Sequence, residues 1–318
     1  MNIKQSENYF VDVYIEPHKI DDHTKIYEKR LEFTGLELIR GIVSAGMPNV
    51  YLTKSARPDR KEEIAFKIKM FETFVISING ALAFDQDKKK YLDSTEVGAI
   101  NYWIGMILIT VLGQKEYHYE FMVHLSMIQL FSSKISINKK SYFSANGKIC
   151  FKSPDLLAVN HSLTQYGVFE SKGYWTYSKK AVESGYIQAK SIKKINGSKP
   201  AHSLVVLTQT GDRKILMIKK DPAGEGVELN VDPDVLFLYH FLPIVELIGE
   251  LEPENQNNRM TGTWMHHGEK YRISLPMGLY ERLSRPIEQK SDWLNKISEP
   301  YSLAEMCREQ KELLRVEV

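Results

Sequence analysis

Only two cysteines, Cys150 and Cys307, occur in 318 residues. That is too few for a four-thiolate metal cluster or a disulfide framework within one chain, and a reducing cytoplasm is the expected setting. Long apolar runs are scarce too. The richest, WIGMILITVL, spans about ten residues where a bilayer-crossing helix needs about twenty. The opening MNIKQSENYF lacks the pattern of an export signal, so neither a membrane segment nor export is expected. There is no Gly-x-Ser-x-Gly elbow and no phosphate loop ending in Gly-Lys-Ser/Thr, which removes the corresponding nucleophile and nucleotide motifs. Internal repeats and low-complexity tracts are absent as well, which speaks against a solenoid or a disordered tail.

What is present is ordinary in bulk and uneven in detail. The 43% hydrophobic and 26% charged composition suits a globular protein, and the length suits two domains or one core with elaborations. Net charge is only +2, but residues 139–199 hold eleven lysines, no arginine and three acids (Asp155, Glu170 and Glu183). That segment therefore carries 11 − 3 = +8, leaving 2 − 8 = −6 for the rest of the chain. Concentrated positive charge favours a polyphosphate partner, because each phosphate contact releases condensed counterions. Lys179, Lys180, Lys193 and Lys194 are the candidate contacts. A solvated lysine-rich surface is the plain alternative.

Pattern reading divides the chain into three regions: a mixed α/β region over 1–95 suited to binding a partner or substrate, a core over 96–222, and a helical and hairpin region over 223–318. In the first, NYFVDVYIEP, NVYLT and ETFVISINGALAF read as strands and GLELIRGIVSAG as a helix. Residues 96–133 read as one or two helices, with Gly113 as a break and Phe121, Leu125 and Ile128 at helical spacing. Short strands are then expected at YFSA and KICFK around Asn146-Gly147, at DLLAV, and at YGVFESK. A helix over 178–195 closes at Asn196-Gly197, followed by strands HSLVVLTQT and KILMIKK across a Gly211-Asp212 turn. Asp232 and Pro233 start a helix that Pro243 should kink. A hairpin around TWMHHGEKYRISL and a last helix with a Ser302/Glu305 capping box complete the chain. The fold class expected is α/β, a mixed sheet flanked by helices.

The chemistry concentrates in SPDLLAV followed by YGVFESKGYW. Side chains two apart on a strand share a face, so Val168, Glu170 and Lys172 project together while Phe169 and Ser171 point away. A preceding antiparallel strand led by Asp155 brings a second carboxylate alongside. Two hard oxygen ligands for Mg²⁺ and an amine beside a metal-bound water are what phosphodiester hydrolysis requires.

These residues resemble the PD-(D/E)xK nuclease superfamily, whose pattern is Pro-Asp on one strand and Glu-x-Lys on the next within a helix-flanked sheet. Pro154, Asp155, Glu170 and Lys172 match it, and the likeness covers about residues 115–220. The resemblance implies a restriction-endonuclease-like core, with Asp155, Glu170 and the Ser171 backbone carbonyl as ligands of Mg²⁺ or Mn²⁺ and Lys172 as the catalytic amine. It also favours DNA over RNA as substrate; the water-based chemistry leaves RNA open. One site per chain cuts one strand, so a homodimer or a companion subunit is expected for double-strand cleavage, as in a defence, restriction, transposition or repair assembly. The rival readings are a nucleic-acid-binding subunit that keeps the fold without cutting, and an interaction protein with a salt-bridged strand pair.

Further residues carry paired readings. Ala181, Gly185, Gln188, Ile192 and Ile195 fall on one helical face, which places the Gln188 amide in an otherwise small or apolar stripe. It resembles the helix glutamine that some exonuclease-like branches place near the metal, or it bonds a nearby backbone group. Glu120 is better placed than Glu116 to add a helix carboxylate, against the alternative of a solvated glutamate. Tyr174, Trp175 and Tyr177 could stack on unpaired bases or serve as core and edge aromatics. His266 and His267, adjacent on a strand, should point to opposite faces and fail to chelate one ion.

Overall fold

The computed structural model describes residues 1–16, 25–45, 60–125, 153–222, 224, 226–284, 306 and 313–317, with the backbone alone of 135–138. The expected strands NVYLT, YFSA and KICFK and the Ser302/Glu305 box lie outside the described residues. The strands are β1 (Asn8–Ile15), β2 (Ile26–Thr34), β3 (Val75–Ile78), β4 (Ala81–Phe84), β5 (Phe121–His124), β6 (Ile135–Asn138), β7 (Leu156–Val159), β8 (Tyr166–Tyr174), β9 (Ile192–Ile195), β10 (His202–Gln209), β11 (Leu216–Lys220), β12 (Val227–Val231), β13 (Glu254–Gln256), β14 (Arg259–His266), β15 (Glu269–Pro276) and β16 (Arg315–Glu317). The helices are α1 (Gly35–Ser44), α2 (Arg60–Phe74), α3 (Gln86–Lys89), α4 (Ser94–Glu116), α5 (Lys179–Lys190), α6 (Pro233–Glu250) and α7 (Met277–Ser284).

A mixed nine-stranded sheet organises the described residues, in the order β3-β4-β1-β11-β10-β8-β7-β5 with β2 paired to β1. β8 and β10 run parallel, whereas β7 is antiparallel to both β8 and β5. The architecture is thus α/β, a mixed sheet flanked by helices. Residues 1–95 and 96–222 share this sheet, since β1 pairs in parallel with β11 from Asp12↔Leu216 to Ile15↔Lys219. Smaller sheets, β6-β12-β9 and β13-β14-β15-β16, flank it.

Helix starts follow local chemistry. Asp93 caps α4 through Thr95 N–H and Glu96 N–H, and Glu96 returns a bond to the Asp93 N–H, a reciprocal capping box. Ser178 caps α5 by accepting from Ala181 N–H, and Asp232 with Pro233 starts α6. Gly113 does not break α4, and Pro243 lies inside a continuous α6. Long and apolar enough to cross a membrane, α4 has 72% of its most apolar window buried inside the molecule.

Three expectations change. Phe121 belongs to β5, not to a helix, and its strand pairs with β7 through Phe121↔Val159. The helix over 178–195 ends at Lys190, and Ile192 and Ile195 are buried on β9, where β12 takes up their backbone groups. Helix α2 went unrecognised because its buried face carries Arg60 and Lys67 among Ile64, Ile68 and Phe71.

Candidate active site

β8 places its side chains on alternate faces, as period two requires. Ser171 lies toward α4: a Cβ built at Gly105 would stand 3.0 Å from Ser171 Oγ. Glu170 and Lys172 lie toward α5, where a Cβ at Gly185 would meet Lys172 Cε at 3.3 Å and Glu170 Cγ at 3.4 Å. The two helices therefore cover opposite faces of the strand. Gly173 lets α4 cross closely, since a Cβ there would come within 1.9 Å of the Asn101 carbonyl oxygen. This crossing puts Asn101 and Tyr102 beside Gly173.

Asp155 and Glu170 are locked to one another through the backbone. The Asp155 N–H donates to Glu170 Oε2 at 2.9 Å, and the Ser171 N–H donates to Asp155 Oδ2 at 2.9 Å. Each carboxylate is oriented by the strand that carries the other, so β7 and β8 cannot slip in register without breaking both bonds. Lys172 Nζ contacts Glu170 Oε1 and donates to Gln188 Oε1 at 3.0 Å. The Gln188 amide donates in turn to the Ser153 carbonyl at 3.1 Å. Gln188 thus bonds a backbone group, as one of its two readings expected, and at the same time accepts from Lys172.

Burial, followed by the charge on Asp155, pushes the Glu170 carboxyl up to about 8 despite the Lys172 ammonium beside it. Glu170 is fully buried, whereas Asp155 is half-buried at the mouth of a cavity of about 490 Å³. Asn101, Tyr102, Ser171, Lys172 and Tyr174 line the same cavity. The Tyr102 phenol is raised to about 12, first by burial and then by Asp155 and Glu170. Two carboxylates facing one ammonium in a poorly solvated site leave the cluster short of positive charge. Asp155 and Glu170 are hard oxygen donors that could hold a divalent cation; the Ser171 carbonyl enters only through the family resemblance.

Other expected residues lie elsewhere. Glu120 stands just before β5, where it meets His161 Nδ1 at 2.8 Å and Arg40 at 3.8 Å, while Glu116 pairs with Lys29. Both carboxylates are committed to these partners, and Glu120 is not a helix residue at all. Lys179 and Lys180 sit at the start of α5 and Lys193 and Lys194 beyond its end on β9, so the four do not form one cluster. Lys179 lies 3.9 Å from Glu183 and Lys194 3.3 Å from Glu228, whereas Lys193 joins Lys199 at a separate cavity of about 490 Å³. Residues 139–152 of the +8 segment lie outside the described residues. Trp175 packs edge-on to Phe84 with Lys89 over its ring, and the Tyr177 hydroxyl donates to Glu16 at 3.2 Å. Tyr174 alone of the three is both exposed, at 41%, and on the cavity wall.

Asn101, Tyr102 and His124 were not foreseen as neighbours of the site. Asn101 is buried and accepts from the Thr210 hydroxyl at 2.7 Å; a polar residue inside an apolar helical run was its sequence signal. His124 is buried on β5 with Nε2 unbonded, and its pKa is lowered by burial against the opposing charge of Asp155. His266 and His267 do not point apart, because His267 adopts a left-handed turn conformation with φ of 50° and both rings face Glu72.

Compared with protein-family models, curated proteins and solved structures, the chain matches none.

Proposed function

We propose that this chain is a divalent-metal-dependent nuclease whose reaction centre is Asp155, Glu170 and Lys172, with DNA as the preferred substrate. The observation that carries this reading is the reciprocal backbone lock between Asp155 and Glu170, closed by a lysine that Gln188 holds, with Asp155 and Lys172 among the residues lining a cavity. A surface ion pair needs no such arrangement. Exposed pairs are worth about 0–1 kcal/mol and tolerate many geometries, whereas here two carboxylates are gathered against their mutual repulsion.

Mg²⁺ or Mn²⁺, when bound, supplies charge neutralisation at the phosphorus oxygens and a more acidic water. Lys172 orients the attacking water or stabilises the negative charge that develops on the phosphoryl group. Gln188 fixes where the Lys172 amine sits. Tyr174 offers an exposed ring at the cavity rim on which a base can stack. DNA is preferred over RNA on the likeness of the Pro154-Asp155 and Glu170-x-Lys172 pattern to PD-(D/E)xK nucleases.

The test is cleavage by the purified full chain of supercoiled plasmid, linear duplex, single-stranded DNA and RNA, each with Mg²⁺, Mn²⁺, Ca²⁺ or chelator. Expected are DNA nicking with Mg²⁺ or Mn²⁺, its loss with chelator, and its loss in Asp155→Ala. Metal-independent cleavage, or cleavage that survives Asp155→Ala, contradicts the proposal.

A further inference from the structure

Glu72, His266 and His267 meet at the opposite edge of the sheet from Asp155. Glu72 stands near the end of α2, three residues before the edge strand β3, and the two histidines close the β14–β15 hairpin. His266 Nε2 lies 3.1 Å from Glu72 Oε1 and His267 Nε2 lies 2.9 Å from Oε2, with the imidazole centroids 4.2 Å apart. The three ligand atoms all fall within 4.8 Å of one another.

Ordinary hydrogen bonding accounts for part of this cluster and leaves part over. Glu72 is buried, and its carboxylate accepts from the Ile3 N–H at 2.9 Å and meets both imidazoles. His267 bonds Oε2 at 2.9 Å, and the buried His266 Nε2 is paired with Oε1 at 3.1 Å in a contact that falls short of good hydrogen-bond geometry. Both imidazole nitrogens are thus turned to one carboxylate, the second of them imperfectly satisfied. Two imidazole nitrogens and a carboxylate oxygen around one point form the donor set of a borderline dication. Zinc binds such ligands at about 2.0–2.1 Å, so two of them on a tetrahedral ion stand about 3.3 Å apart. The observed separations of 2.9 and 3.1 Å run to the two different carboxylate oxygens, and with all three ligand atoms inside 4.8 Å the set reaches a tetrahedral spacing by small side-chain adjustments.

We propose that Glu72, His266 and His267 form a metal site for Zn²⁺ or a similar transition-metal dication, which pins the β14–β15 hairpin to the end of α2. The site is independent of the nuclease reading: it shares no residue with the Asp155 cluster and differs from it in ligand chemistry. Three protein ligands leave a position for water. Its role is to fasten the C-terminal hairpin to the N-terminal half of the chain, where Glu72 also holds Ile3.

The experiment is titration of the chelator-treated full chain with Zn²⁺ by calorimetry, alongside Co²⁺ as a visible-absorption probe and thermal melting with and without Zn²⁺. All are repeated in an Asp155→Ala background, so that binding at the carboxylate pair does not contribute. One equivalent should bind, raise Tm and give tetrahedral Co²⁺ bands. His266→Ala and His267→Ala should each weaken it by at least about tenfold, since loss of even an outer-shell partner costs 10–100-fold. His267 is 35% exposed, so its replacement leaves the fold least disturbed, and Glu72→Gln gives a third variant that keeps the side chain's size. The proposal is overturned if the chain binds no Zn²⁺ in the Asp155→Ala background. It is equally overturned if His267→Ala and wild type bind Zn²⁺ with the same affinity.

Discussion

Two of the buried charge clusters among the described residues, one on α2 and one on β7 and β8, are balanced differently. On α2, Glu63 sits between Arg60, which contacts it directly, and Lys67 at 2.8 Å. Arg60 is 2% and Lys67 0% exposed. Burial alone would raise the Glu63 carboxyl, but Arg60 and Lys67 hold it below the usual range. Lys67 is lowered to about 8, chiefly by burial and then by Arg60, and its ammonium also faces the Trp103 ring at 4.7 Å. On β7 and β8 the ratio is reversed: Asp155 and Glu170 share one lysine, and Glu170 is pushed up to about 8. The first cluster contains more cation than anion and holds its carboxylate ionised. The second sets two carboxyl groups against one cation, keeps a proton on Glu170 to well above the usual carboxylate range, and borders a cavity. The lesson is that burial of charge is not itself the functional sign; an unmet demand for a cation beside an open space is.

The comparison breaks first on catalysis, where the largest effect is expected. Asp155→Ala and Glu170→Ala should each lower plasmid nicking by about 1000-fold or more, the scale at which loss of one charge-stabilising group in a reaction centre is felt. Gln188→Ala should lower cleavage by about 10–100-fold through misplacement of Lys172. Its melting temperature should change far less than its activity. Nicking rates and thermal melting on the same preparations check both, and full activity in Gln188→Ala would return that residue to a structural role.

Stability sharpens the contrast with opposite signs. Glu63→Gln leaves two buried cations without their counter-charge and should destabilise by about 3–5 kcal/mol, the usual cost of removing one partner of a buried pair. Glu170→Gln should do the reverse at high pH. The folded carboxyl titrates near 8 against an ordinary value of 4.5, so between those two points the folded state holds a proton that the unfolded chain has lost. Stability from this group is therefore full below about pH 4.5 and falls as pH rises through 8. At pH 9 without divalent metal, Glu170→Gln should melt about 3 °C or more above wild type, on the scale of about 2–4 °C per kcal/mol for a chain of this order of size. At pH 5 the gap should close. Denaturant and thermal melts of both variants at the two pH values decide the matter.

The smallest effect concerns the lysines. Replacing Lys179, Lys180, Lys193 and Lys194 together by glutamine should weaken DNA binding modestly and flatten its salt dependence, by at most about 0.9 in slope for each phosphate no longer neutralised. Because the structure divides the four between two places and sets Lys179 near Glu183 and Lys194 near Glu228, the change should fall short of that maximum. Binding isotherms at several salt concentrations measure it.

The legible parts of the sequence were those where one periodicity ruled. β8 alternates Glu170 and Lys172 with Phe169 and Ser171, and the period of two put the correct pair on one face. Asp232-Pro233 marked the start of α6, and the expected hairpin over 263–275 is β14–β15. Failures arose where two patterns coincide over few residues. Phe121 and Leu125 are four apart, which fits a helix turn, yet residues 121–124 are a strand too short to display its own period. Ile192 and Ile195 extended the face of α5 by the same coincidence. Helix α2 was hidden because three of its charged residues, Arg60, Lys67 and Glu72, are buried, against the polar-outside rule. The His266–His267 pair was misjudged because strand alternation was carried into a turn, where a positive φ re-aims the side chain. The reciprocal lock of Asp155 and Glu170 uses backbone N–H groups, which side-chain patterns do not reveal.

The central claim is that the Asp155–Glu170 pair takes up a divalent cation and uses Lys172 in the reaction without needing it as a ligand. Its most direct test is calorimetric titration of Mg²⁺ or Mn²⁺ into wild type, Asp155→Ala, Glu170→Ala and Lys172→Ala, paired with nicking of supercoiled plasmid by the same samples. The account predicts that both carboxylate variants lose metal binding and cleavage together, whereas Lys172→Ala still binds metal and does not cut. Wild-type-like cleavage by the three variants, or metal binding unchanged in Asp155→Ala and Glu170→Ala, would contradict it.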